Sequence, residues 1–404
     1  MTSSASSQIR DIKSAAALDL VTEMMAIPGK SRQEGRVVTY IRRRLKQAGI
    51  PDSAIDSDGA NKPGRAGGGE VGNLIVKLPG TRRGSRRLLM AHLDTVPLCL
   101  GSRPVRRGSF ITSRDAHTAL GADDRAGAAA VLNTILEIRR QKLEHPPLTL
   151  FWPVQEEIGL LGARHVSLSK LGRPTICFNF DGGLAHFAMV GATGDYNIEI
   201  DIDGIASHAG AHPERGVSAV AIAGRAISDL VENGWHGLIV KGKKTGTSNI
   251  GSISGGEATN VVTSHVHVSA EARSHDPEFR KRIVKAFQTA FEKAAAALKN
   301  DAGKSGRIRF HSSLKYDSFR LADDEPCVRT ALAAIESVGL EPETKVINGG
   351  LDANWMTARG LPTVTLGCGQ QDVHTVNETL HIPSYLQACR IALLLATGAE
   401  QERK

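Results

Sequence analysis

Leu88-Leu89-Met90-Ala91-His92-Leu93-Asp94 is an apolar run that passes straight into a histidine and, two positions on, an aspartate. A short continuous run of this kind reads as a strand buried on both faces. The pattern returns: residues 148–154 lead through Gln155 into Glu156 and Glu157, and residues 176–180 lead into Asp181-Gly182-Gly183. Apolar runs at 74–78 and 363–366 belong to the same predicted sheet. Ser31 and Glu34 have capping-box spacing ahead of Val37, Val38, Ile41 and Leu45, an amphipathic helix that ends near Gly49, and a second helix covers 124–140. Strands alternating with helices define an α/β domain.

From about Tyr196 the texture changes. An alternating strand (Ile198, Ile200, Ile202) precedes a helix over 217–231 and a strand near 249–253. The unit repeats with Val266, Val268 and Ala270, a helix over 277–298 and a strand over 308–314. Two such units make an α+β insert. The expected domains are therefore a discontinuous catalytic domain, 1–194 and 314–404, and an inserted domain, 195–313.

Composition narrows the function. The chain has 404 residues, 41% hydrophobic and 23% charged, enough for two folded domains. No apolar run approaches the roughly 20 residues of a membrane span, and the start, residues 1–14, is polar, so a cytoplasmic protein with no membrane partner is expected. Five scattered cysteines without a CxxC pair indicate neither a disulfide framework nor a thiolate zinc site, but reduced, mostly buried thiols. The net charge of +8 includes Arg82, Arg83, Arg86, Arg87, Arg103, Arg106 and Arg107, yet only 4% of residues are aromatic. A solvated basic loop is expected rather than a nucleic-acid surface.

The chemistry lies where the strands end. In open α/β sheets, sites form at the carboxyl ends of strands, so His92, the Glu156-Glu157 pair and Asp181 should converge, joined by Asp123 at the start of the 124–140 helix and by His374 beyond the last strand. Singly, each residue has an ordinary structural explanation. Together, so many acids and histidines facing one another would repel without cations. Imidazole and carboxylate without thiolate suit zinc, with cobalt and manganese as alternatives. Two ions, one carboxylate bridging them and a shared water match the ligand count. One of the adjacent glutamates can bind metal while its neighbour takes the proton of that water. Asp94 can hold the His92 ring from behind.

These residues resemble the metallopeptidase family that contains peptidase T, carboxypeptidase G, acetylornithine deacetylase and aminoacylase. The resemblance is carried by His92-Leu93-Asp94-Thr95-Val96-Pro97, Gly121-Ala122-Asp123-Asp124-Arg125-Ala126-Gly127, Gln155-Glu156-Glu157-Ile158-Gly159, Phe180-Asp181-Gly182 and Val373-His374-Thr375, all in the family's order. It implies a zinc-exopeptidase-like domain with a mostly parallel central sheet and an inserted α+β lid and dimerisation domain. It further implies Asp123 as the bridging ligand, His92 with Asp181 on one ion, His374 with Glu157 on the other, Glu156 as general base and Asp94 as orienting residue. In the insert, Gly204-Ile205-Ala206-Ser207-His208-Ala209-Gly210 looks like the start of the family's lid, which makes His208, Asn260 and Arg273 candidate substrate residues. Gly349-Gly350-Leu351-Asp352-Ala353-Asn354 is most similar to the peptidase T-like branch, although Leu351 stands where many relatives carry a small hydroxyl residue.

The expected activity is cleavage of an amide bond in a small peptide by a homodimeric two-metal exopeptidase. A carboxypeptidase or an N-acyl amino acid deacylase would share the metal residues and differ in its pocket. A non-catalytic binding protein is the alternative from another class, but it has no use for Glu156 beside a full ligand set.

Overall fold

The computed structural model describes residues 11–62, 64 and 67–399; the polar start, residues 1–10, lies outside them. Two compact units divide the chain: 1–191, 320–347 and 351–404 form one, and 192–319 with 348–350 form the other. Among the described residues no helix is long and apolar enough to cross a membrane.

The first unit is built on a nine-stranded sheet. Its centre is parallel, in the order Leu148–Trp152, Arg87–Met90, Ile176–Phe180 and Thr363–Leu366. Towards its edges it turns antiparallel, with Leu74–Leu78 beside Leu148–Trp152 and Phe187–Ala192 beside Thr363–Leu366. The central strands are continuous apolar runs because both faces are covered: Leu88, Leu89, Met90, Leu150, Phe151, Phe178 and Phe180 have no exposed surface. The helix read over 124–140 spans Ala122–Gln141, is Ala-rich and is buried along most of its length.

A separate four-stranded sheet, in the order Gln370–Gln371, Thr379–His381, Phe110–Ser113 and Pro104–Arg107, was not foreseen. Of the seven arginines, Arg82, Arg83, Arg103, Arg106 and Arg107 are exposed as expected, whereas Arg86 is half-buried and Arg87 buried. Arg87 is buried and donates to the Leu395 carbonyl, Arg82 donates to the Thr397 carbonyl, and Arg86 donates to the Leu148 carbonyl. Arg82 and Arg87 thus neutralise the carbonyl end of the helix Ile382–Thr397, where cations are favoured. All five cysteines are buried and free.

The second unit is a five-stranded antiparallel sheet, in the order Gly237–Lys241, Lys244–Gly255, His265–Ser274, Gly194–Asp203 and Arg307–Tyr316. Helices Ala219–Glu232 and Pro277–Ala297 cover one face, burying Ile198, Ile200, Ile202, Val266 and Val268 against Phe279, Ile283, Phe287 and Phe291. Intervening residues such as Glu199, Asp201 and His267 point the other way and pair across strands, as strand alternation requires. The hairpin strand Gly237–Lys241 was missed by the sequence reading.

Candidate metal centre

Because the four central strands run in one direction, the residues that follow them emerge at one edge of the sheet, about 4.8 Å apart from strand to strand. His92 follows Arg87–Met90, Glu156 and Glu157 follow Leu148–Trp152, Asp181 follows Ile176–Phe180, and His374 lies beyond Thr363–Leu366. Asp123 enters from the start of Ala122–Gln141, where its φ of −82° and ψ of 108° are not yet helical. A side chain at Gly127 would overlap the Phe180 carbonyl oxygen, so only glycine lets this helix close on the strand that delivers Asp181.

Asp123 faces both histidines. Its Oδ1 lies 3.2 Å from His92 Nε2 and its Oδ2 lies 3.2 Å from His374 Nε2, so each carboxylate oxygen faces one imidazole. His92 Nε2 is also 3.9 Å from Glu156 Oε2 and 4.0 Å from Asp181 Oδ1, while His374 Nε2 is 2.9 Å from Glu157 Oε2. Two overlapping sets gather their donor atoms within 4.8 Å of one another: His92, Asp123 and Glu157, and His92, Glu156 and Asp181. Glu156, read as the general base, therefore lies within reach of the same centre as the candidate ligands.

The electrostatics fit a cationic occupant. Burial, reinforced by repulsion from Asp123, pushes Glu157 and Asp181 up to about 7. Burial also raises Glu156, with His92 opposing and Glu157 and Asp181 adding to the rise. His374 is raised to about 10 by its hydrogen bonds to Asp123 and Glu157. His92 is raised against the effect of burial by Glu156, Asp123 and Asp94. Asp123, although buried, is held low by hydrogen bonds from His374 and His92. Glu157 Oε1 is buried with no hydrogen-bond partner. Imidazole and carboxylate donors around an unsatisfied oxygen fit divalent cations.

Asp94 is fully buried and takes its expected place behind His92, with the ring Nδ1 3.6 Å from its Oδ1 and 3.1 Å from its backbone oxygen. It also accepts the backbone N–H groups of Glu156 (2.9 Å) and Glu157 (3.2 Å) and the Ser31 hydroxyl (2.6 Å). The proposed capping box is corrected here. Neither Ser31 nor Glu34 caps the helix Gly35–Gln47. Both turn inward, Ser31 to Asp94, and Glu34 to the N–H groups of Arg32 and Gln155.

Several supporting residues escaped the sequence reading. Glu378 accepts from Gly121 N (2.6 Å) and Asp123 N (2.9 Å), fixing the Asp123 loop. Asp124 accepts the His92 N–H. Gln370 Nε2 donates to Asp181 Oδ1 at 3.2 Å. Asp352 is 1% exposed and neither carboxylate oxygen has a partner. Glu378 carried a usable signal, an acid four residues after His374; Gln370 carried none.

In the second unit, His208 and Asn260 lie on adjoining loops, joined by Ala209 N to the Asn260 carbonyl at 2.9 Å. His208 Nδ1 accepts N–H bonds from Gly210 and Ala211, so a neutral ring carries its proton on Nε2 as a donor. Arg273 is held by Glu271 at 2.8 Å. It sits eight residues along the strand that begins at His265, about 27 Å from that end at strand rise. The structure thus brings His208 and Asn260 together and leaves Arg273 apart from them.

The family model for the peptidase dimerisation domain matches residues 190–299, and that for peptidase family M28 matches residues 73–197. A Bacillus subtilis relative, "uncharacterized protein YqjE", is 31% identical over 389 residues, covering 95% of this chain and 98% of its own. The chain belongs to the metallopeptidase family of peptidase T and carboxypeptidase G. Among solved structures, a tripeptidase from Staphylococcus aureus superposes with a TM-score of 0.85 at 29% identity, over 97% of this chain and 100% of that one. The aminopeptidase PepT from Bacillus cereus superposes with a TM-score of 0.79, also at 29% identity and with the same coverage.

Proposed function

We propose that this chain is an exopeptidase that hydrolyses an amide bond of short peptides with two divalent ions, zinc by the chemistry of the donors. His92, Asp123, Glu157, Asp181 and His374 would hold the ions. The observation that carries the reading is the position of Asp123, one oxygen towards each histidine. The similarity to a tripeptidase and to an aminopeptidase supports short peptides as substrates.

When bound, two such ions polarise the scissile carbonyl and acidify a shared water. Glu156 accepts the proton of the attacking water and returns it to the leaving amine. Burial raises the Glu156 carboxyl, which makes it readier to take up a proton. Asp94 keeps the His92 ring and the Glu156 backbone in register.

The second unit is read as a lid and a homodimer contact. The match to a peptidase dimerisation domain supports it, as does the edge strand Gly237–Lys241 with Leu238 and Val240 exposed. The separation of His208 from Arg273 also favours two chains. A tripeptide spans roughly 10 Å and cannot touch both ends of one lid, so a partner copy would supply His208 and Asn260 to a substrate whose carboxylate Arg273 holds.

The test is digestion of a peptide library by metal-loaded and chelator-treated protein. Release of single residues from short peptides, lost on chelation and restored by zinc, is expected. Turnover only of N-acyl amino acids would make the chain a deacylase, and no metal-dependent turnover would leave a binding protein.

A further inference from the structure

Ser31 and Glu34 have helix-capping spacing and do not cap, so their side chains must serve something else. Glu34 reaches the turn that follows the strand Leu148–Trp152, and Ser31 donates to Asp94, the second carboxylate on that turn. Three consecutive backbone N–H groups there point at two buried carboxylates: Gln155 N to Glu34 Oε1 at 3.1 Å, Glu156 N to Asp94 Oδ1 at 2.9 Å, and Glu157 N to Asp94 Oδ2 at 3.2 Å. Gln155 has φ +58°, a left-handed conformation that is costly for a residue with a side chain and persists only where its surroundings impose it. Successive N–H groups around such a residue form a concavity that binds anions. Here the anions come from the protein itself. Glu34 Oε1 also accepts Arg32 N at 2.9 Å, and Glu34 has no exposed surface, so the turn is tied to the segment before Gly35–Gln47.

From this geometry we infer that Glu34 is a positioning residue for the Glu156-Glu157 turn, a role that goes beyond the ligand and base assignments above and rests on them for its catalytic effect. It acts as an acceptor. Removing it frees Gln155 N, lets the left-handed turn relax and moves the Glu156 carboxylate relative to His92. A displacement of about 1 Å at a reacting group costs on the order of 100-fold in rate.

The experiment compares Glu34→Ala, Glu34→Gln and Glu34→Asp in the full chain. Amide hydrogen exchange is followed over residues 153–158 in metal-free protein, and kcat, KM and metal content are followed in loaded protein. Glu34→Ala should speed exchange over the turn and lower kcat about 100-fold, with KM within about 2-fold and the metal content of the parent. Glu34→Gln keeps a carbonyl acceptor and should recover kcat to within about 5-fold of the parent. If Glu34→Ala does not fold, Glu34→Asp, whose acceptor is drawn back by one methylene, should still show a reduced kcat and faster exchange. Parental exchange and kcat in a folded Glu34→Ala or Glu34→Asp protein overturn the inference, as does a Gln variant no better than Ala. The exchange measurement needs no substrate, so a parent protein without peptidase activity would refute the proposed function while leaving this inference to be judged on exchange.

Discussion

Removal of the Glu378 carboxylate tests how the Asp123 loop is held. Glu378 is 2% exposed, and its two oxygens accept Gly121 N at 2.6 Å and Asp123 N at 2.9 Å. Glu378→Ala leaves both N–H groups buried without a partner. At about 1–3 kcal/mol for each orphaned donor, the loss is about 2–6 kcal/mol. Glu378→Gln retains one acceptor and turns its NH2 towards the other donor, so it should lie between parent and Ala. The loop carries the aspartate that faces both histidines, so metal affinity should fall about 10–100-fold in Glu378→Ala, the usual effect of losing a partner that orients a ligand. Denaturant unfolding of metal-free protein gives the first quantity and calorimetric metal titration the second. A Glu378→Ala protein that binds metal like the parent would refute the reasoning, because Asp123 would then be held without it.

Purified protein should contain about two divalent ions per chain, measured by elemental analysis, and chelation should abolish peptide turnover; activity that survives a metal content near zero sinks the two-ion reading. Glu156→Gln should keep the metal and lose most of kcat, and loss of metal in that variant with retention in Glu157→Gln would exchange the two roles. Arg273→Lys preserves charge but not the two-pronged guanidinium, so KM for short peptides should rise with metal content unchanged; an unaltered KM removes Arg273 from substrate binding. Asp195 has no exposed surface and burial raises it to about 6 from an ordinary 3.8. The folded state thus holds its proton more tightly than the unfolded state, and this contribution to stability is present below about pH 4 and lost as the pH rises through 6. Comparison of wild type with Asp195→Asn should therefore show the variant gaining on the parent by at most about 3 kcal/mol from pH 4 to 7, and a constant difference across that range would contradict it.

What could be read from sequence follows a physical division. The convergence of His92, Glu157 and Asp181 was legible because each sits within five residues of the end of a buried parallel strand, and parallel neighbours deliver their ends to one edge whatever the loops do. Periodicity also gave the two helices and inner strands of the second unit, where one face is apolar and the other is not. It failed at Gly237–Lys241 and Pro104–Arg107, short strands with exposed residues, whose identity depends on the neighbour they pair with rather than on their own pattern. Two of the arginines carry a role their sequence did not show: Arg82 and Arg87 are engaged by carbonyls more than 300 residues away. Ser31 and Glu34 are the sharpest case. Their spacing is that of a capping box because both tasks need polar side chains near a helix start, and local sequence cannot tell a partner in the same helix from one 63 or 121 residues distant. Only the completed sheet decides between them, by placing Gln155 in a left-handed turn whose N–H groups need partners there. The residues that hold the centre in shape are thus less legible than those that line it, since a candidate ligand is marked by its own chemistry and a support only by what it touches.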